Sequence, residues 1–233
     1  MIYLISDIHG DFFHFRKMLE KIRFTGADLL YVLGDVVDKG QENLRLLSEI
    51  RETGNMLLLK GNHEYLCERY LDKTLPGEVW DSCGGSRTRE EVDALTEPKK
   101  SELLRYFKGL PVYQKITVCK EEYFLTHSGY WADCEIRHPE TGLVDIEESV
   151  REAVRVNQER YLFSDDIHYI PASLQFDRKI IVGHYPAPAL QEWGKARIFH
   201  GKKYTDIDTG NESRKEGGRL ACLCLDDGRE FYV

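Results

Sequence analysis

No apolar run in this 233-residue chain approaches the roughly 18 residues that a membrane span requires. The opening residues, MIYLISDIHG, carry an acid at Asp7 and do not read as a secretory signal. There is no basic stripe. The net charge is −8, which argues against a nucleic-acid-binding surface but leaves room for a local basic site for phosphate. Of the six cysteines, Cys67, Cys83, Cys119, Cys134, Cys222 and Cys224, none form a C-x-x-C pair. Reduced thiols in a cytoplasmic protein are therefore expected, with a zinc knuckle or a disulfide framework as the weaker readings. Internal repeats and low-complexity segments are missing too. These absences lead to the expectation of a soluble cytoplasmic protein with neither a membrane nor a nucleic-acid partner. What is present is a 42% hydrophobic fraction, enough for a real core, and 31% charged residues to solvate the surface. The length suits a single domain over residues 1–233.

Short apolar runs alternate with amphipathic stretches through the first sixty residues. Ile2 to Ser6, Asp28 to Leu33 and Met56 to Leu59 read as strands. Between them, Asp11 to Phe24 and Gln41 to Glu52 place apolar residues at helical spacing. This β-α-β-α-β order predicts a parallel sheet with crossover helices. From Leu71 to Gly109 the pattern loosens around a Gly84-Gly85 turn, with a helix predicted over Pro98 to Lys108. Tyr113 to Val118 and Tyr123 to Thr126 read as paired strands, Ile146 to Val156 as a helix and Lys179 to Val182 as a buried strand. The tail offers strands at Arg197 to Phe199, Tyr204 to Ile207, Leu220 to Leu225 and Phe231 to Val233. Cys222 and Cys224 should share one strand face. The expected fold class is α/β, with two sheets, and residues 71–112 and 130–178 are expected to form a rim above the site.

Five of the predicted strands run into residues that can bind metal. Ile2–Ser6 ends in Asp7 and His9, Leu29–Leu33 in Gly34-Asp35, and Leu57–Leu59 leads through Lys60-Gly61 to Asn62-His63. Phe124–Thr126 ends in His127 and Ile180–Val182 in Gly183-His184. Ligands of open α/β sheets gather outside the carboxyl ends of the strands. A lone Asp after a strand is usually a turn or cap residue, and a lone His is usually structural. Their joint occurrence at five strand ends argues for a metal site. The donors are oxygen and nitrogen without thiolate, which suits Mn²⁺, Fe or Zn²⁺ better than a closed structural zinc site. Six ligand residues exceed what one catalytic zinc uses. Two ions roughly 3.5–4 Å apart sharing a carboxylate would account for them.

The blocks Asp7-Ile8-His9, Gly34-Asp35-Val36-Val37-Asp38-Lys39-Gly40, Gly61-Asn62-His63-Glu64, His127-Ser128-Gly129 and Gly183-His184 resemble the signature blocks of the metallophosphoesterase superfamily. More narrowly, they resemble the phosphoprotein (serine/threonine) phosphatase family of the small bacterial and phage type. The blocks keep the family's order, and Asp206-Ile207-Asp208-Thr209-Gly210 resembles its closing strand region. The resemblance implies a calcineurin-like two-sheet sandwich flanked by helices. It also implies two divalent metal ions, with Mn²⁺ the first choice and Fe or Zn²⁺ allowed. Asp7 and His9 would bind the first ion, Asp35 would bridge both, and Asn62, His127 and His184 would bind the second. His63 would be the general acid, Asp38 would orient it, and Lys39 and Asn62 would contact phosphate. The implied reaction is in-line attack of a metal-bridging hydroxide on a phosphate monoester, the substrate being a phosphorylated protein or small molecule.

Three positions depart from the family's pattern, one of them Ser6, which stands before Asp7 where many members have glycine and is expected to be tolerated. Lys39 and Lys60 stand where the family usually has arginine, and an ammonium cannot make the bidentate fork of a guanidinium. Arg87, just after Gly84-Gly85, is a candidate for additional phosphate grip. Hydrolases of diadenosine tetraphosphate share all the metal blocks. They usually lack an acid at the position of Asp38 and have Asp where this chain has Glu64, so both positions favour the phosphoprotein-phosphatase reading. A non-catalytic binding module is the more distant alternative. His14, His138, His168 and His200 are given no functional role, and Tyr130, Trp131 and Tyr185 are placed near the pocket or in packing.

Overall fold

The computed structural model describes residues 1–190 and 193–233. Its strands form two five-stranded sheets. The first holds β1 (Ile2–Ile5), β2 (Leu29–Val32), β3 (Met56–Leu58), β9 (Ala221–Cys224) and β10 (Glu230–Tyr232) in the order β10-β9-β1-β2-β3. The second holds β4 (Tyr113–Val118), β5 (Glu121–Thr126), β6 (Lys179–Val182), β7 (Phe199–His200) and β8 (Tyr204–Asp206) in the order β4-β5-β6-β8-β7. Parallel pairing joins β1, β2 and β3 in one sheet and β5, β6 and β8 in the other. The remaining pairs are antiparallel.

The sheets face each other across a core of Leu4, Leu33, Leu125, Ile181, Ile207 and Leu223. Helices cover the outer faces. On the first sheet lie α1 (Phe12–Ile22), α2 (Asn43–Glu52), α3 (Asn62–Leu71), α4 (Gly77–Ser82), α5 (Ser86–Asp93) and α6 (Glu97–Gly109), contributing Phe15, Met18, Leu46, Ile50, Trp80 and Phe107 to a second core. On the second sheet, α7 (Ile146–Leu162) packs Val150 and Ala153 near Phe124, Ile180 and Val182. Each fully buried Leu, Ile or Phe contributes about 1.5–3 kcal/mol. Strand β9 shows the pleat directly. Cys222 and Cys224 face the helices while Ala221 and Leu223 face the other sheet.

The Asp11 side chain caps α1 by accepting from the His14 backbone N–H at 3.1 Å, so the expected helix begins one residue later. Three helices escaped the sequence reading. α3 starts inside a metal block, and α4 and α5 are only six and eight residues long. α7 runs past the expected end at Val156, across a non-helical Asn157 whose side chain recaps the helix at Arg160 N–H, 3.0 Å away. The segments expected as a rim are built into the outer helical layers. Trp80, Val92, Leu103 and Phe107 of residues 71–112 share the core of the first sheet. Val144, Ile146, Val150 and Tyr161 of residues 130–178 share that of the second. No helix among the described residues is long and apolar enough to cross a membrane.

Candidate metal centre

The carboxyl ends of the parallel strands of both sheets meet at one edge. Across the sheets, the His184 backbone N–H donates to Asp7 Oδ2 at 2.9 Å, and His127 Nδ1 lies 2.7 Å from the Leu33 carbonyl. The backbone there is held in conformations that L-residues seldom adopt. Asp7, His9, Asp35, Asp38, Lys39 and His184 all have φ between 50° and 74°. Such residues cost of order 1–3 kcal/mol each and persist only where their surroundings over-determine them. Here the His9 and Gly10 N–H groups donate to the carbonyls of Asp35 and Val36 at 3.0 and 2.7 Å. The fully buried Glu64 carboxylate accepts from the N–H groups of Asp35, Val36 and Gly61 at 2.8, 2.8 and 2.9 Å. Gly61 and Gly183 are needed for close approach. A Cβ would lie 2.2 Å from Asp35 Oδ1 at the first and 1.8 Å from Ser6 Oγ at the second.

Asp35 sits between two groups of donors. Its Oδ1 is 3.3 Å from His127 Nε2, and its Oδ2 is 3.8 Å from both His9 Nε2 and His63 Nε2. Donor atoms of His9, Asp35 and His63 lie within 4.8 Å of one another, as do those of Asp35, His127 and His184. Asn62 Oδ1 is 2.9 Å from His127 Nε2 and 3.0 Å from His184 Nδ1. Asp7 Oδ1 is 4.0 Å from His9 Nε2. The Nδ1 atoms of His9 and His127 face the carbonyls of Val37 and Leu33, at 3.1 and 2.7 Å. A carbonyl partner favours Nδ1–H and leaves Nε2 as a lone-pair donor turned toward the cluster, the arrangement metal-binding histidines use.

The electrostatics fit cations. Burial, with the charge of Asp35 in addition, pushes the Asp7 carboxyl up to about 6. Asp206 and Asp208 are raised well above the usual carboxylate range, by burial first and by neighbouring acids second. Burial resists charge on His127, yet Asp35 and Asp7 outweigh it and hold the imidazole up to about 10. Burial and Lys39 press His9 well below its ordinary range, and burial and His127 press His184 down to about 3. A buried set of carboxylate, amide and imidazole donors suits divalent cations of the Mn, Fe and Zn class. Asp7, His9 and Asp35 are placed to hold one, and Asp35, Asn62, His127 and His184 to hold the other.

His63 stands beside this cluster with its Nδ1 2.8 Å from Asp38 Oδ2. Burial works against its charged form, but Asp35 and Asp38 outweigh it and raise the imidazole. The same Asp38 oxygen accepts from Trp80 Nε1 at 2.7 Å, and the Asp38 N–H donates to Thr88 Oγ1 at 3.0 Å. Trp80 on α4 and Thr88 on α5 are fully buried, so the helices of residues 71–112 brace the pair from behind.

The basic candidates separate. Lys39 Nζ lies 3.3 Å from His9 Nε2 and is ion-paired with Glu212, whose carboxylate is 3.7 Å from His9. The Lys60 ammonium is buried against Glu68 at 2.7 Å, while exposed Arg87 pairs along α5 with Glu90 at 3.1 Å and Glu91 at 3.6 Å. Neither is joined to the cluster by a hydrogen bond or ion pair among the described residues. The sequence reading missed Trp80, Thr88 and Glu212, which no local pattern marks. It used Glu64 only to compare families, although the Gly61-Asn62-His63-Glu64 spacing carries a helix-capping signal that could have revealed its role.

The family profile described as calcineurin-like phosphoesterase matches residues 1–214. Serine/threonine-protein phosphatase 2 of Salmonella typhimurium is 31% identical over 135 residues, covering 55% of this chain and 58% of that protein. A symmetrical bis(5'-nucleosyl)-tetraphosphatase of Mannheimia succiniciproducens is 26% identical over 148 residues, covering 62% and 50%. The matches thus span about half the length of these curated relatives. Among solved structures, a proposed diadenosine tetraphosphatase superposes with a TM-score of 0.61 at 16% identity, covering 100% of this chain and 92% of that one. A serine/threonine phosphatase from Saccharomyces cerevisiae gives 0.53 at 14%, covering 100% and 78%. At these identities the structures speak for the fold alone.

Proposed function

Because the chain belongs to the calcineurin-like phosphoesterase family, we propose that it is a metal-dependent phosphatase of phosphate monoesters, of the serine/threonine phosphoprotein type. The observation that carries the proposal is the His63–Asp38 pair, 2.8 Å apart and buried beside Asp35. A monoester of a serine or threonine side chain has a poor leaving group, whose oxygen needs a proton as the P–O bond breaks. A histidine whose charged form is favoured by Asp35 and Asp38 can supply one, and Asp38 fixes the ring so that Nε2 faces the cluster. When bound, the two cations supply an activated water and neutralise charge on the phosphoryl group. Asp35 holds the two halves of the donor set in register. Asn62 and Lys39 are the chain's own groups for the phosphoryl oxygens, Lys39 as a point charge. Lys39 is ion-paired too, with Glu212, but it lies 3.3 Å from His9, whereas Lys60 and Arg87 have no bond to the cluster among the described residues and rank behind it.

Mn²⁺ as native ion, a cytoplasmic location and a phosphorylated protein or small molecule as partner belong to the same proposal. The six free cysteines support a reducing compartment. A second reading, hydrolysis of diadenosine tetraphosphate, is favoured by the names of several relatives. The Mn²⁺-loaded protein should be assayed on a phosphoserine peptide and on diadenosine tetraphosphate, with chelator controls. Turnover of the peptide with little of the dinucleotide is expected. The reverse preference overturns the monoester reading.

A further inference from the structure

One residue past His184, the chain enters a cavity that the chemistry above does not use. Its volume is about 260 Å³, and rings dominate its lining: His168, Tyr169, Tyr185, Phe199 and Tyr204, beside Leu190. The rings are ordered against each other. His168 lies 4.8 Å from Tyr185 at 36° and 5.2 Å from Tyr204 at 79°, and Phe199 lies 5.4 Å from Tyr204 at 48°. His168 Nδ1 is 2.9 Å from the Tyr204 hydroxyl. Burial presses this imidazole down to about 4, so it faces the cavity as a neutral ring. Tyr169 interacts with Tyr185 through its side chain and remains 67% exposed.

We propose that this cavity receives a planar aromatic group carried on the phosphate ester, and so sets a preference for aromatic over ring-free substrates. The inference rests on the monoester-phosphatase reading and not on its serine/threonine part: a preference for ring-bearing esters ranks phosphotyrosine or a nucleotide above phosphoserine, and the test decides between them. Among the described residues no Lys, Arg, Asp or Glu lines the cavity, so these residues offer nothing to hold a phosphate and match an uncharged part of a ligand. The volume falls just below the roughly 300–1,000 Å³ of sites that take whole drug-sized ligands, and it suits one ring system. Aromatic side chains gain most from another ring placed edge-on or offset at 4.5–7 Å, the spacing that His168, Tyr185, Phe199 and Tyr204 already keep among themselves. His168 Nε2 has no protein partner among the described residues and can bond a polar atom on the ring's edge. Tyr185 of the lining directly follows His184, so the cavity adjoins the strand end that carries the cluster. A phosphotyrosine ring and a nucleobase share this chemistry, and the test separates them.

Using the full chain loaded with Mn²⁺, kcat/KM is measured for two matched pairs, adenosine 5′-phosphate with ribose 5-phosphate and phosphotyrosine with phosphoserine, in the parent, Tyr169→Ala and Phe199→Leu. Comparing parent with variant cancels the intrinsic reactivity of each leaving group. The aromatic-to-aliphatic ratio of at least one pair should fall about tenfold in the variants, the scale of one aromatic contact. The pair that responds names the source of the ring. Calorimetric titration with adenosine and with N-acetyltyrosinamide needs no turnover, and one of them should bind the parent and weaken similarly in the variants. Ratios that stay put while the monoesters are hydrolysed overturn the cavity's role and leave the phosphatase reading intact. A protein that turns over no monoester loses the phosphatase reading instead, and failure of both ring probes to bind then overturns the cavity's role as well.

Discussion

Trp80→Phe isolates one hydrogen bond behind the proposed general acid. Trp80 Nε1 donates to Asp38 Oδ2 at 2.7 Å, the oxygen that also meets His63 Nδ1 at 2.8 Å, while Asp38 Oδ1 is buried with no hydrogen-bond partner among the described residues. Phenylalanine keeps most of the apolar packing around Tyr70, whose ring centroid is 5.1 Å away, but removes the donor. A hydrogen bond to a charged group is worth about 1.5–3 kcal/mol. If it is lost from the transition state alone, kcat falls about 10- to 160-fold. The carboxylate then has one anchor on that oxygen instead of two, and His63 loses its fixed aim. The loss should be concentrated in substrates whose leaving oxygen needs protonation. An alkyl phosphate and p-nitrophenyl phosphate are therefore compared at full metal loading, beside His63→Asn, which on the same logic loses roughly 10²–10⁴-fold. The expected pattern is a large loss for the alkyl ester, a small one for the aryl ester and unchanged metal content in both variants. Equal losses for the two esters would refute the link from Trp80 through Asp38 to His63, and lost metal would show damage to the cluster itself.

Three further outcomes are expected. Asp35→Asn should bind neither ion tightly, as read by metal analysis, and chelation of the parent should abolish activity that Mn²⁺ restores; an Asp35→Asn protein that keeps both ions removes Asp35 from the bridging position. Lys39→Ala should weaken inhibition by inorganic phosphate and lower kcat/KM with the metals retained, whereas Glu212→Gln, by releasing a partly exposed ion pair worth about 0.2–1 kcal/mol, should tighten phosphate a fewfold; unchanged inhibition in both variants removes Lys39 from the phosphate site. His168 has a folded-state pKa of about 4, below the 6.5 of the unfolded chain. Between pH 6.5 and 4 only the unfolded chain takes up this proton, so folding stability from this residue falls with pH by about 1–3 kcal/mol. His168→Gln should flatten that part of the curve in urea melts of metal-free protein, and an unchanged slope contradicts the buried neutral imidazole.

Much of the fold and of the cluster was legible because their signals are local. Ile2–Ile5, Leu29–Val32 and Lys179–Val182 announce themselves by apolar runs, and Asp7, Asp35, Asn62, His127 and His184 follow strands that end where the sequence turns polar. α3 was hidden because its first turn, Asn62-His63-Glu64, is read as ligands before it is read as a helix. Its buried side also carries charge at Glu64 and Glu68, so no apolar stripe marks it. The partners of the site were less legible still. Trp80 lies 42 residues from Asp38, and Glu212 lies 173 from Lys39. Nothing in a linear sequence says which distant N–H or carboxylate the fold will deliver. The same limit misdirects attention to Lys60. It stands where the resembled family usually has arginine, which suggests a phosphate ligand, but Glu68, two turns along α3, is near enough to pair with its charge.

The position of Glu64 explains how so much strain is kept at one edge. Asp35 sits at φ 54° just past the end of β2, and the N–H groups of Asp35 and Val36 are met by Glu64 rather than by a neighbouring strand. Left unpaired and buried, each would cost about 1–3 kcal/mol, added to the cost of the dihedral itself. Glu64 meets both, and the Gly61 N–H as well, with one carboxylate carried on the first turn of α3. The Asp35 side chain in turn accepts from the His63 backbone N–H at 3.1 Å. The end of β2 and the start of α3 are therefore locked to each other twice, in opposite directions. The Asp35 carboxylate, the amide of Asn62 and the imidazole of His63 hang on the two sides of that lock. Their relative placement is fixed by backbone hydrogen bonds before any cation or substrate arrives, as preorganised catalysis requires.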